Sequence, residues 1–383
     1  MIKLKRFLAV TLAALFLFPF PVSAGQPSVS AHAAILIAAD TGRVLYAKNE
    51  NEQLSMASTT KIMTALLTLE QENLDEYFTV DDKAIQVEGS SMGLQSGDQV
   101  SLRALAYGML LQSGNDAANM AAVHIGGSIE GFTELMNQRA KQIGMENTHF
   151  STPSGLDQDD HYSTAADMAK LAQEALKNAD FLEICSSYKA KVEYGNPPYT
   201  RWMTNHNRLL KEYQGAIGVK TGFTKKSGRC LVSAAERDGI RLIAVTLKAP
   251  NDWQDHKQML DYGFSVSQLV ELPIPELSKA TVVGGMSSCV ELAAQPIQCN
   301  LTQEELARVE SEIHLKQFYY APITSGEVLG SIIYRLDGKQ IGETPLTANG
   351  AVVQDTTPPD MSFWEKCKAQ WQRFCNWVSA LFG

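Results

Sequence analysis

The chain has 383 residues, 45% of them hydrophobic and 20% charged, with a formal net charge of -9 at pH 7. That length allows two or three domains with ample apolar core. The acidic balance argues against nucleic acid as a partner.

Residues 1–24 begin with Lys3, Lys5 and Arg6, continue through an apolar run from Phe7 to Phe20 and end in Val22-Ser23-Ala24. A basic start, a short apolar centre and a small-residue end form a secretory signal peptide, with cleavage expected after Ala24. The alternative is an uncleaved membrane anchor, for which the run is short and interrupted by Pro19. In either case the remainder is expected to work outside the cytoplasm, and nothing later resembles a transmembrane span.

From residue 33 the pattern predicts a strand hairpin turning at Asp40-Thr41-Gly42, then helices over 60–70, 102–111, 116–126, 129–143 and 164–178. Strands are expected over 216–221, 229–235 and 241–247, and a helix near 255–262. Strands at both ends with helices between them predict an α+β domain over 25–268, with a helical subdomain beside an antiparallel sheet. After Pro273 and Pro275 short alternating strands take over, and Asp337-Gly338 between two of them is a hairpin signal. Residues 271–353 are therefore read as a small β-sandwich domain with a structural job, and 354–361, containing Thr356-Thr357-Pro358-Pro359, as a linker.

Ser362 and Glu365 form a capping box that opens a helix over 362–383. At 100° per residue Phe363, Trp364, Cys367, Trp371, Phe374, Val378, Leu381 and Phe382 fall on one stripe, with Lys366, Lys368 and Arg373 outside it. A Trp-rich, net-cationic amphipathic helix is expected to lie in a membrane interface. The alternative is that its stripe packs on the protein's own body.

Six cysteines, at 185, 230, 289, 299, 367 and 375, show neither a dense disulfide framework nor a C-x-x-C site. Cys289 and Cys299, flanking a short polar segment, are the one pair to consider. A Cys367 to Cys375 bridge within one helix is ruled out by reach, since eight residues rise about 12 Å.

Three short motifs carry the chemistry: Ser58-Thr59-Thr60-Lys61, Ser113-Gly114-Asn115 and Lys220-Thr221-Gly222. A serine hydroxyl is a poor nucleophile until a neighbouring base takes its proton. Ser58 should sit at the start of an apolar helix, with Lys61 one turn on and on the same face. Burial at the positive end of a helix lowers an amine's pKa and makes it a base. Ser186-x-x-Lys189 and Lys226-Ser227-Gly228 are decoys: no long apolar helix follows the first, and the second reads as a turn between strands.

With the flanking stretches 34–46 and 56–64 and His161-Tyr162-Ser163-Thr164, these motifs resemble the low-molecular-mass penicillin-binding proteins, the serine D-alanyl-D-alanine carboxypeptidases of the β-lactamase-like superfamily. The resemblance is close from Ser30 to Phe264 and looser to the C-terminus. It implies a β-lactamase/transpeptidase-like fold and removal of the terminal D-alanine from peptidoglycan pentapeptide stems through a Ser58 acyl-enzyme. By the same resemblance Lys61 is the general base and Ser113 relays a proton to the leaving amine. Asn115 positions the peptide and Lys61, while Lys220, Thr221 and the edge strand through Gly222 hold the acyl chain and carboxylate. The backbone N–H groups of Ser58 and Phe223 form the oxyanion hole, and β-lactams are expected as covalent inhibitors. No cofactor or metal is implied, and His161 and His206 are expected to support loops.

One departure stands out. An arginine expected shortly before Tyr262-Gly263-Phe264 is replaced by the stretch Asn251-Asp252-Trp253-Gln254-Asp255-His256-Lys257, which leaves Lys220, Thr221 and Arg229 to hold the carboxylate. Two other functions compete. A β-lactamase needs a glutamate for its deacylating water, and residues 151–160 offer only Asp157, Asp159 and Asp160. A non-enzymatic wall-binding or β-lactam-sensing protein is opposed by the intact Ser58, Lys61, Ser113 and Lys220 set.

Overall fold

The computed structural model describes residues 25–356 and 362–381. The expected signal peptide over 1–24, the end of the expected linker and Phe382 lie outside these residues. Two compact units emerge: the described residues up to Val270 with Cys299–Gln303, and Glu271–Gln298 with the described residues from Glu304 onward. The segment Cys299–Gln303 thus leaves the 271–353 domain read from the sequence. Its Asn300 accepts a hydrogen bond from Arg43 Nη2 at 3.1 Å and donates its backbone N–H to Asp40 at 3.1 Å.

In the first unit, β1 (Ala33–Ala38) and β2 (Val44–Lys48) form the expected hairpin around Asp40-Thr41-Gly42. They join β7 (Ala216–Thr224), β8 (Gly228–Arg237) and β9 (Ile240–Leu247) in one antiparallel sheet of order β2-β1-β9-β8-β7. Side chains alternate across a strand, and both faces of this sheet are covered. Ile35, Ile37, Val232 and Val245 meet the helical subdomain, while Leu36, Leu231 and Leu242 meet Met259 and Leu260 of α8 (Asp252–Val266).

The helical subdomain comprises α1 (Lys61–Leu69), α2 (Leu102–Gln112), α3 (Asn115–Gly126), α4 (Ile129–Ile143), α5 (Ala165–Ala175) and α6 (Ala179–Ser186). Every residue of α1 is buried, so this helix is the core of the subdomain and its first residue, Lys61, is taken inside with it. The expected helix over 164–178 ends early: α5 stops at Ala175, and the Asn178 side chain accepts from the Phe181 N–H to start a separate helix, α6, beyond the expected range. The hairpin of β5 (Lys189–Gly195) and β6 (Pro198–Thr204), absent from the sequence reading, pairs with the short strands β3 (Phe78–Thr79) and β4 (Gln99–Val100). A single turn, α7 (Leu209–Glu212), precedes β7.

In the second unit, two sheets share a core built from Ala280, Val282, Val290, Leu329 and Ala348. The two-residue turn Asp337-Gly338 joins strands Val328–Leu336 and Lys339–Ala348, both turn residues having positive φ, as a type I′ hairpin requires. The C-terminal helix spans Phe363–Leu381, and Ser362 and Glu365 cap it reciprocally: Ser362 N–H donates to Glu365 at 2.8 Å and Glu365 N–H to Ser362 Oγ at 3.3 Å. All six cysteines are free; Cys289 lies on a strand paired with Thr281 and Cys299 is buried, so the considered pair does not form.

Candidate active site

Ser58 is half-buried in a 3₁₀ turn, Ala57–Thr60, that runs straight into α1. Thr60 Oγ1 donates to the Ala57 carbonyl at 2.8 Å and is itself 2.8 Å from His161 Nε2. Because His161 Nδ1 accepts from the Ser151 N–H at 3.1 Å, the ring carries its proton on Nε2 and donates it to Thr60. Burial pushes His161 down to about 4 and keeps it neutral in this role. Ala57 (φ 48°) and Ser113 (φ 60°) both occupy the left-handed region without being glycine. Such strain costs about 1–3 kcal/mol per residue and gathers at functional sites.

Lys61 is fully buried, and its Nζ lies 3.0 Å from Ser58 Oγ, 2.7 Å from Asn115 Oδ1 and 2.6 Å from the Ser154 carbonyl. Burial, then the nearby Lys220 charge, holds its pKa well below the usual lysine value. When neutral, the amine can direct its two protons to Asn115 and Ser154 and its lone pair to the Ser58 hydroxyl. Lys220 is also buried, donates to Ser113 Oγ at 3.1 Å and to the Thr221 carbonyl at 2.8 Å, and is pushed down to about 7 by burial. Two buried ammonium groups repel, so the site favours at most one being charged.

The third motif arrives on β7, an edge of the sheet. A Cβ at Gly222 would lie 3.1 Å from Met56 O, Ser58 N and Thr59 N. The missing side chain is what lets the strand lie against the nucleophile's turn. A cavity of about 410 Å³ opens there, with Ser58, Ser113, Thr221, Gly222 and the exposed Phe223 on its wall. The structure thus gathers all three motifs: Ser58, Ser113, Thr221, Gly222 and Phe223 face the cavity, and Lys61, Asn115 and Lys220 stand behind it.

Other wall residues carried no motif signal: Ser90, Arg208, Asp252 and Trp253. His206, expected only to support a loop, also lines the cavity. Arg229 donates from Nε to Asp252 Oδ1 at 2.9 Å, and no other acceptor for its guanidinium is found among the described residues. Asp252 stands within the stretch that replaces the expected arginine, so the positive charge at this wall comes from Arg229 on β8 and from Arg208 instead. The Ser186-x-x-Lys189 decoy joins the end of α6 to the start of β5, and Lys226-Ser227 lies in the β7–β8 turn.

A serine hydroxyl 3.0 Å from the amine of a buried lysine, beside the edge strand of an antiparallel sheet, is the arrangement of a serine hydrolase. Comparison with known proteins agrees. Residues 21–251 match the S11 peptidase family, D-alanyl-D-alanine carboxypeptidase, and residues 274–354 match the C-terminal domain of penicillin-binding protein 5. The D-alanyl-D-alanine carboxypeptidase DacF of Bacillus subtilis is 35% identical, covering 90% of this chain and 94% of the relative. DacC of Escherichia coli is 36% identical over 90% and 91%. Penicillin-binding protein 5 from Haemophilus influenzae superposes with a TM-score of 0.67 at 29% identity, over 86% of this chain and 99% of that one. The chain belongs to the S11 family of D-alanyl-D-alanine carboxypeptidases. It is a serine hydrolase of peptidoglycan metabolism, in a family that binds β-lactams.

Proposed function

We propose that Ser58 is the nucleophile of this carboxypeptidase and that Lys61 is its base. The 3.0 Å approach of the fully buried Lys61 Nζ to Ser58 Oγ at the cavity wall carries this reading. The hydroxyl proton passes to Lys61 as Oγ bonds the carbonyl carbon between the two terminal D-alanines. The oxyanion is held by the N–H groups of Ser58 and Phe223. Collapse breaks the C–N bond, and the proton taken by Lys61 passes through Ser113, beside Lys220, to the amine of the departing D-alanine, which leaves Lys61 neutral again. Water then attacks the ester, giving up a proton to Lys61, which returns it to Ser58 Oγ as the shortened peptide leaves.

The acyl chain would add as a further strand to the edge of β7, with Asn115 holding both the peptide and Lys61. Thr221, Lys220 and Arg229 would receive the terminal carboxylate, as suits charge-assisted donors. A β-lactamase finds no support here: among the described residues lining the cavity the one carboxylate, Asp252, is tied to Arg229.

Among the described residues no helix is long and apolar enough to cross a membrane. The enzyme is proposed to act outside the cytoplasm, attached peripherally through 362–383. The exposure of Phe363, Trp364, Trp371, Phe374 and Trp377 supports that reading.

The deciding experiment offers an N-acylated Lys-D-Ala-D-Ala tripeptide to the purified protein and to Ser58→Ala, following free D-alanine. Release by the parent and none by the variant is expected; equal release would sink the mechanism.

A further inference from the structure

Residues 88–94, Glu88-Gly89-Ser90-Ser91-Met92-Gly93-Leu94, form no strand or helix, yet they carry Ser90 to the wall of the cavity that Ser58 also lines. What fixes them is Asp116, in the first turn of α3 and only 2% exposed. Its Oδ1 accepts from Met92 N–H at 2.9 Å and Ala117 N–H at 2.9 Å. Its Oδ2 accepts from Ser91 Oγ at 2.6 Å, Gly93 N–H at 3.0 Å and Leu94 N–H at 3.1 Å. Five donors on one buried carboxylate satisfy its lone pairs without a cationic partner.

Asn115 adds two stitches to the same loop. Its backbone N–H donates to Ser90 O at 2.7 Å and its Nδ2 to Glu88 O at 2.6 Å, while its Oδ1 receives Lys61. The fit is tight on both sides: a Cβ at Gly89 would lie 2.8 Å from Asn115 Nδ2, and one at Gly114 would lie 2.7 Å from Asp116 Oδ1 and 3.0 Å from Met92 N. Loop, Asn115 and Lys61 are therefore one mechanical unit, and a displaced loop pulls on the amide that orients the base.

We infer that Asp116 is a positioning residue for acylation: it locks the 88–94 loop, and through Glu88 and Asn115 it sets the placement of Lys61 against Ser58. The inference rests on the Ser58–Lys61 roles given above. A carboxylate is required because four of the five partners are backbone N–H groups, which can only donate. Asp116→Asn puts an NH₂ against at least two of them, opening the loop without emptying the site.

The test compares parent and Asp116→Asn in three measurements: hydrogen exchange at the Met92, Gly93 and Leu94 amides, kcat/KM for the tripeptide, and the first-order rate constant for acylation by penicillin. Faster exchange at those amides is expected, with kcat/KM and the acylation constant falling together by about 10- to 100-fold. A purely structural role would lower the melting temperature or the amount of reactive protein, but not the rate constant of the sites that still react. Released amides with a parent-like acylation constant would overturn the inference. Should the variant fail to fold, Ser91→Ala removes one of the five donors that tie the loop to the Asp116 carboxylate and leaves Asn115 untouched. Acylation slowed at least fivefold supports the inference, and a parent-like rate refutes it. A parent that releases no D-alanine would instead refute the underlying carboxypeptidase mechanism.

Discussion

On the proposed mechanism, two buried lysines should set the pH behaviour of this enzyme. Lys61 must be neutral to accept the Ser58 proton, and burial beside Lys220 moves its ionisation below the usual lysine value. Acylation should therefore rise with pH through that ionisation, and Lys61→Arg, permanently charged, should lose at least 100-fold in the rate of penicillin acylation. Lys220 also marks stability. Its folded-state pKa of about 7 lies below its usual 10.5, so between these values the unfolded chain binds more protons and stability rises with pH. Lys220→Met should flatten that rise in denaturation midpoints measured from pH 7 to 10; an unchanged slope would remove Lys220 as its source. Arg229→Ala probes the relocated positive charge. Losing a hydrogen bond to a charged group costs about 1.5–3 kcal/mol, so kcat/KM should fall about 10- to 150-fold, mostly through KM. The preference for a free C-terminus over a C-terminal amide should collapse with it, and a retained preference would point to Thr221 and Lys220 alone. Arg229 was visible in the sequence only as a residue left over when the expected arginine was missing, because no local pattern announces that Asp252 holds it.

The elements explain why some of the site was legible and some was not. Ser58 and Lys61 share a turn, so helical spacing alone pairs them; Lys220 and Gly222 share a strand. Ser90, Arg208 and Trp253 reach the cavity through loops and helix starts whose meeting depends on topology. The 164–178 helix was overextended because Asn178, which caps α6, looks equally like the end of α5. The β5–β6 hairpin went unread although Lys189-Ala190-Lys191-Val192-Glu193-Tyr194 alternates as a strand should, since its turn, Asn196-Pro197, lacks the Asn-Gly or Asp-Gly signal. Edge strand β7 carries the sharpest prediction at this scale. Gly222→Ala places a methyl 3.1 Å from three backbone atoms of the Ser58 turn, so strand and nucleophile must part by a few tenths of an ångström. Acylation by a fluorescent penicillin should slow about tenfold while the melting temperature moves little, because β7 keeps its full pairing with β8. Parent-like labelling would mean that this contact does not gauge the oxyanion hole.

For the whole molecule, the catalytic cavity and the helix proposed for attachment belong to different segments. Every residue of the Ser58 cavity lies in the first unit, whereas the C-terminal helix presents Phe363, Trp364, Trp371, Phe374 and Trp377 with half or more of each side chain exposed. The predicted stripe, which holds the first four of these aromatics and leaves out Trp377, was legible because a 3.6-residue period needs no tertiary context; whether it packs on the body was not, and the exposure of its large aromatics argues against that. Aromatic faces buried in the headgroup boundary and the cations Lys366, Lys368 and Arg373 over anionic lipid both favour binding, at about 1 kcal/mol for each basic residue near the surface. Truncation after Pro359 should release the enzyme from vesicles containing anionic lipid while D-alanine release from the soluble tripeptide stays within twofold of the parent. Added salt should weaken binding of the full chain without abolishing it, since screening removes the cationic share and leaves the apolar one. Undiminished sedimentation of the truncated enzyme with vesicles would assign attachment to the body of the protein instead.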